Sequence, residues 1–408
     1  MDLMTPGIQP LDGIRILDFT RHMAGPYATV FLADYGADVI KIESTPDGDA
    51  SRTTGELVDG KVSAPFLMWN RGKRSLALDL RRPESREIVR RLATTADVLF
   101  ENYKPGTAER MGIGYNDLKD LNPGLIYISL SAFGRGPLEP FPGTDPVVQA
   151  MSGVMSVTGE AGGPPILVGV PMADFTAAMT GAQAVMLGLI ARGKTGMGQL
   201  IEVSMLHALM TSLTTRLATY WATGREPARN GGAHSLVMPY QVWETSDGYV
   251  VAGVWNGGNV MWPKFCEAVG LPDLGKNPKY AENPDRLAHR AELRAILQEK
   301  FVTESTKFWE ERFRSLQVLF SPIYTFGELL NHPHVRQAGI VSSLHHPLLG
   351  NIPQLQPAVS MTDTPGSLSR HPPLLGEHTR EVLEEAGYSS TQIDELLANH
   401  VALAADPT

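Results

Sequence analysis

The stretch IRILDFTRHMAGPYATVFLADYGADVIKIE, residues 14 to 43, decides the fold. It opens with a short apolar run, breaks at Gly25-Pro26, continues with helical spacing, stops at Gly36 and resumes as a β-branched run. That succession predicts a βαβ unit. Working outward, LALDL at 76–80 reads as a strand, a helix opens at Pro83 and closes near Thr95, DVLF at 97–100 is a further strand, and LIYISL at 125–130 another. Strands that alternate with helices imply a mainly parallel sheet covered on both faces, an α/β fold.

Farther along, residues from Met172 to Ala191 are almost all apolar or small and end in the turn ARGKTGMG; QLIEV starts a strand at 199, and a second apolar helix runs from Ser204 to about Ala222. The segment GREPARNGG at 224–232 breaks the pattern with glycine, proline and charge, as a linker does. Beyond it, YQVWETSDGYVVAGVW predicts a hairpin turning at Ser-Asp-Gly, and helices follow at about 261–269, 285–302 and 306–315. After Phe326 the chain is rich in proline and histidine up to a last helix near 376–387, a poor composition for a self-standing core. The expected layout is a large domain beginning with 1–223, a small α+β domain over 231–328, and 329–408 as a linker returning to the large domain with a C-terminal helix. This tail is expected to wrap over another part of the molecule or over a partner subunit.

Composition excludes several functions. A net charge of −9 over 408 residues argues against nucleic acid as a partner, because phosphate-backbone binders carry a basic patch. The N-terminal residues MDLMTPGIQPLDG have neither the cationic start nor the apolar run of a signal peptide, and no stretch suggests a membrane span. Cys266 is the one cysteine, so no intrachain disulfide forms, and a cytoplasmic setting is expected. No metal-ligand spacing stands out: His332, His334, His345 and His346 lie in a proline-broken loop with no cysteine nearby and no HExxH pattern. P-loop, GxGxxG and GxSxG motifs are also missing.

What remains is Asp174, the lone charge between Gly169 and Ala191 in GVPMADFTAAMTGAQAVMLGLIA. An isolated carboxylate there is costly to bury unless something compensates it. One reading is a helix N-cap, accepting backbone N–H bonds at the positive end of the dipole. The other is a reactive carboxylate held in one orientation beside donors that would stabilise an oxyanion. The small residues Ala177, Ala178, Gly181 and Ala182 suit either close ligand approach or tight helix packing.

Five ordered blocks carry a resemblance over nearly the whole chain: LDGIRILDFTRHMAGPYATVFLADYGADVIKIE, WNRGKRSLALDLRRPE, ADVLFENYKPGTAERMGIGY, FPGTDPVVQAMSGVMSVTG and LGEHTREVLEEAGY. Together they resemble the family III CoA transferases (formyl-CoA and carnitine CoA-transferase types), whose superfamily also holds the α-methylacyl-CoA racemases. The resemblance implies a Rossmann-like large domain with a smaller α+β domain and an interlocked homodimer. Its nucleophile falls on Asp174, which would relay CoA from an acyl-CoA to a free carboxylic acid through anhydride and aspartyl-CoA thioester intermediates. CoA would be part of the substrate, with no permanently bound cofactor.

By the same similarity, the diphosphate and adenosine of CoA would lie along Lys73, Arg74, Asn102, Tyr103 and Arg110, with cations pairing the phosphates. His22 and Met23 would line the pantetheine and reacting carbonyl. Ser44 stands where some members carry an arginine toward the adenine. The nearest candidate for a glycine-rich active-site loop is Gly231, Gly232 and His234. Two alternatives are a 2-methylacyl-CoA racemase and a non-catalytic CoA-binding subunit. Racemases place a histidine where Thr144 stands, just before Asp145, and threonine takes no proton near neutral pH; Asp145 and Gln149 then read as structural. Arg21, His22, Arg52 and Arg135 would suit a second carboxylate on the substrate, such as succinyl-CoA. Met23, Met172, Met238 and Met261 would suit an apolar pocket instead.

Overall fold

The computed structural model describes residues 8–255 and 258–405. They fall into two compact units: one of residues up to Met155, Leu167–Arg225 and from Ala338 on, the other of Ser156–Ile166 and Glu226–Gln337.

The first unit is built on β1 (Arg15–Asp18), β2 (Asp38–Ser44), β3 (Lys73–Leu78), β4 (Val98–Glu101), β5 (Ile126–Ser131) and β6 (Leu200–Ser204), all pairing in parallel. Their order in the sheet is 3-2-1-4-5-6, the doubly wound arrangement, so direction of travel reverses between β1 and β4. Crevices at the carboxyl ends of strands beside such a reversal are where ligands bind.

Helix α1 (Ala24–Ala33) follows β1, α2 (Pro83–Ala93) follows β3, α3 (Asp145–Ser152) follows β5, and α4 (Met172–Thr195) leads into β6. One face of the sheet, with Val98, Phe100, Ile126 and Ile128, is covered by α1 and α4; the other, with Leu99 and Tyr127, is covered by α2 and the C-terminal helices. Helix α4 runs on through Thr195, past the expected turn, and stops at Gly196 in the left-handed conformation. Ala177, Ala178, Gly181 and Ala182 are buried against the sheet and α1. A Cβ on Gly181 would come within 2.8 Å of the Phe100 ring, so packing accounts for these small residues. The expected second apolar helix is two, Met205–Thr211 and Thr214–Thr223, and the latter buries none of its residues.

The tail is more structured than its composition suggests. A hairpin of β10 (Val341–His346) and β11 (Gly350–Leu355) is tied down by Gln354, whose amide donates to the Leu67 carbonyl at 3.0 Å. Helices Thr379–Glu385 and Ser390–Ala398 bury Val382, Leu383 and Ile393, and Ala402–Leu403 pairs antiparallel with the edge of β3. In the second unit, β7 (Tyr240–Glu244), β8 (Tyr249–Gly253) and β9 (Leu319–Pro322) form an antiparallel sheet in the order 9-8-7. The expected hairpin is β7–β8. An aromatic core of Trp243, Trp262, Phe265, Phe301, Trp309 and Phe313 packs against it.

Candidate active site

Asp174 is the third residue of α4 and lines a cavity of about 460 Å³ at the carboxyl end of the sheet. The N-cap position belongs to Pro171, and the side chain of Asp174 makes no capping bond. The cap comes from another helix. One oxygen of the buried Asp145 accepts the Ala173 N–H at 2.7 Å and the Asp174 N–H at 3.3 Å, while the other accepts from Gln149 Nε2 at 2.6 Å. Gln149 in turn accepts the Val168 N–H at 3.0 Å, which fixes the segment entering α4. The donors at Ala173 and Asp174 that the sequence offered to an oxyanion are thus already satisfied.

This arrangement leaves Asp174 with no side-chain hydrogen bond among the described residues. Burial, and then the Asp145 carboxylate beside it, push its carboxyl up to about 6. A carboxylate of raised basicity that is still mostly ionised at neutral pH is suited to nucleophilic attack on an acyl carbonyl.

The loops after β1 and β4 form another wall. Asn102 clamps the two together, its Oδ1 accepting the Arg21 N–H at 2.8 Å and its Nδ2 donating to the Arg21 carbonyl at 2.9 Å. His22 follows in the left-handed region at φ 65°, where a non-glycine residue is strained, and its N–H donates to Asp49 Oδ1 at 3.2 Å. Arg21, His22, Asn102, Tyr103 and Thr144 all line the Asp174 cavity. A neighbouring cavity of about 160 Å³ shares Arg21 and Tyr103 with it and is closed by Ile42, Ser44, Leu80 and Met111.

Lys73 and Arg74 stand elsewhere. Both belong to β3 rather than a loop and are buried, at 0% and 4% exposure. Lys73 donates to Asp18 at 2.9 Å, to the Asn70 side chain at 2.9 Å and to the Pro26 carbonyl at 3.0 Å, which commits all three of its protons. Arg74 pairs with Asp38, Glu381 and Glu385. Neither lines the Asp174 cavity or the adjoining one. Arg110 is exposed and donates to Thr107 Oγ1 at 2.8 Å, and Met23 is half-buried at the head of α1; neither is among the residues lining these cavities. Of the other cations considered for a second carboxylate, Arg52 is paired with Glu43 and Arg135 with Glu202.

Gly231, Gly232 and His234 lie in the second unit and are laid along β7. The Gly232 carbonyl accepts the Val242 N–H at 2.9 Å, the His234 N–H donates to the Tyr240 carbonyl at 2.8 Å, and the His234 ring stacks on Tyr240. Among the described residues no group of three or more histidine, cysteine or acidic side chains is placed to hold a metal ion.

Sequence reasoning did not single out Asp49, Leu80 or Met111. Each comes to its cavity from a different connection, and nothing in the local pattern marks it.

Comparison with known proteins returns one family over most of the chain: the model of CoA-transferase family III matches residues 11–379. The human protein named succinyl-CoA:glutarate CoA-transferase is 39% identical over 393 residues, which covers 96% of this chain and 89% of that one. The succinate–glutarate CoA-transferase of Agrobacterium fabrum is 38% identical, over 92% of this chain and 95% of its own. Among solved structures, a CaiB/BaiF family protein from Brucella suis superposes with a TM-score of 0.83 at 35% identity, covering 93% of this chain and 99% of that one.

Proposed function

From the premise that this chain belongs to CoA-transferase family III, we propose that it moves CoA from succinyl-CoA to a dicarboxylic acid of about glutarate's size, with Asp174 as the covalent relay. The observation that carries the mechanism is the unpartnered, half-buried carboxyl of Asp174 inside a cavity wide enough for an acyl chain. The names of the relatives support the substrates.

In this reading Asp174 attacks the thioester carbonyl, the C–S bond breaks, and a mixed anhydride and CoA thiolate form. The thiolate attacks the aspartyl carbonyl and releases the donor acid, leaving an aspartyl-CoA thioester. The acceptor carboxylate then attacks that thioester to give a second anhydride, and the thiolate captures the acceptor acyl group, freeing Asp174. Each bond broken is replaced by an activated one, so the energy of the thioester is retained without any permanently bound cofactor.

The proposed path of CoA runs from the Asp174 cavity into the smaller one, which would take the adenine near Ser44 and Met111. Its diphosphate would pass Arg21 and Tyr103, which line both cavities. Arg21 thereby takes the phosphate role that Lys73 and Arg74, committed within the sheet, leave open. Arg21, His22 and Lys104 line the Asp174 cavity and are the residues proposed to favour an acid with a second carboxylate. The segment Gly231, Gly232 and His234 is proposed as an active-site loop.

An interlocked homodimer in the cytoplasm completes the proposal. It is supported by apolar side chains left on the surface of the first unit, Trp221 at 75%, Leu187 at 65% and Ile190 at 60% exposure.

Incubation with succinyl-CoA and a panel of mono- and dicarboxylic acids, with product CoA esters resolved by mass, tests the reaction. Glutaryl-CoA should form, and hydroxylamine added during turnover should modify Asp174. Full turnover with an unmodified Asp174 peptide would overturn the covalent step, and absence of any acyl acceptor would overturn the transferase reading.

A further inference from the structure

A third cavity, of about 280 Å³, lies along β4, β5 and β6. The register places Glu101, Ser129 and Glu202 in one row across these strands, with Tyr127 beside Leu200 in the row below. Tyr127 packs with the core on the face opposite α4, so this cavity lies on the other side of the sheet from the helix bearing Asp174.

Its floor carries an unexplained polar group. Tyr127 is 2% exposed, its hydroxyl has no hydrogen-bond partner among the described residues, and it lines this cavity. A buried hydroxyl without a partner is costly, so something should meet it. Beside it is Glu101, 4% exposed, whose carboxyl is bonded by the Ser129 hydroxyl and by the Tyr103 N–H at 2.7 Å.

The charge balance around the floor says what that something is. Glu101, Glu109, Glu139 and Glu202 line the cavity against Lys104 and Arg135, and Arg135 is held by Glu202 at 2.6 Å. Burial, with Glu109 adding to it, pushes the Glu101 carboxyl up to about 7; burial, then Glu101, Glu109 and Asp117, push the Tyr127 phenol up as well. Neighbouring carboxylates thus make the floor around Glu101 and Tyr127 hostile to anions, while Tyr103, Lys104, Pro105, Ser131 and Glu139 line both this cavity and that of Asp174. A cation relieves that field and gives the Tyr127 oxygen a donor. Tyr115, which meets Tyr127 edge to face, and Leu200 offer apolar surface for a hydrocarbon stem.

We propose that this cavity is a second ligand site, which takes a small primary alkylammonium ion with its head against the Tyr127, Ser129 and Glu101 oxygens and its stem along Leu200 and Tyr115. Binding of the cation favours ionised Glu101, so a proton leaves as the amine enters. Ionised Glu101 in turn strengthens its bond to the Tyr103 N–H, and Tyr103 also lines the Asp174 cavity.

The test is calorimetric titration of the intact protein with n-butylammonium chloride, n-butanol and sodium butyrate, near pH 7 in two buffers of different ionisation enthalpy. Butylammonium should bind about tenfold or more tighter than butanol, with butyrate weakest. It should release about half a proton per ion bound. Tyr127→Phe, which keeps the ring, and Ser129→Ala should each weaken the amine by about tenfold while CoA transfer at saturating substrates is unchanged. Equal binding of butanol and butylammonium, or unchanged amine affinity in both folded variants, would overturn the proposal. So would absence of binding up to about 100 mM amine, which would leave water as the occupant.

Discussion

Two sets of buried acids sit near the same end of the sheet in opposite electrostatic surroundings. On β1, β2, β3 and the connection that follows β2, Asp18, Glu43 and Asp49 are interleaved with Lys41, Lys73 and Arg52 in ion pairs of 2.7 to 2.9 Å. Burial alone would raise these carboxyls, but the cations and hydroxyls around them reverse the sign, and Asp18 and Glu43 are held below the usual carboxylate range. At the start of α4 the neighbour of Asp174 is another acid, Asp145, and its carboxyl is raised to about 6. The paired acids are held charged and reinforce the frame. Asp174 faces a like charge and no donor among the described residues, so its oxygens are left without a partner and the fold bears the cost.

The largest break in this comparison is removal of the unpaired acid. Asp174→Asn should lower kcat on the order of 10³-fold or more while leaving the fold intact. The same change should stabilise the protein by about 1–3 kcal/mol at neutral pH, because it deletes a carboxylate that folding disfavours. The sign is fixed by the direction of the shift. A carboxyl whose pKa rises from 3.8 to about 6 on folding costs nothing below the unfolded value, and the cost is complete above the folded one. Denaturant melts of the two proteins should therefore diverge as pH rises through that window and coincide at its acid end.

Removing a paired charge should do the reverse. Lys73→Met leaves Asp18 ionised in a site with 0% exposure, and the expected loss is about 3–5 kcal/mol of stability, read as a lower denaturation midpoint. A KM effect for CoA esters at unchanged stability would instead return Lys73 to the phosphate role. The contribution of Asp18 and Glu43 is present above the unfolded carboxylate range, about pH 4, and is lost as pH falls below it, opposite to that of Asp174.

The same contrast explains what the sequence disclosed. The βαβ reading of residues 14–43, the strands near 76, 97 and 125, and the parallel sheet were legible because each element carries its own periodicity. Asp174 stood out as a lone charge in an apolar run, and burial is the condition that makes such a charge unusual. Lys73 and Arg74 were misleading because their partners, Asp18, Asp38, Glu381 and Glu385, come from strands and helices far away in sequence, and adjacency in a sheet has no local signature. The carboxyl-terminal pairing of Ala402–Leu403 with β3 was hidden for the same reason. The role of Asp145 was half visible: it read as structural, while the N–H groups it caps, 28 and 29 residues away, needed the fold to be seen.

Asp145 also allows the comparison to be sharpened by the smallest change. Asp145→Asn retains an oxygen for the Ala173 and Asp174 N–H groups but replaces the carboxylate oxygen that accepts from Gln149, so a loss of about 1 kcal/mol in stability is expected. It also removes the like charge beside Asp174, leaving burial alone to raise that carboxyl. The acid limb of kcat/KM, expected near pH 6 in the wild type, should therefore move to lower pH, with more activity retained at pH 5. A limb that stays in place would assign the whole elevation to desolvation. A limb that moves, with little change above pH 7, would show that Asp145 both positions the Asp174 carboxyl and tunes it, since a purely structural cap would alter rates at every pH alike.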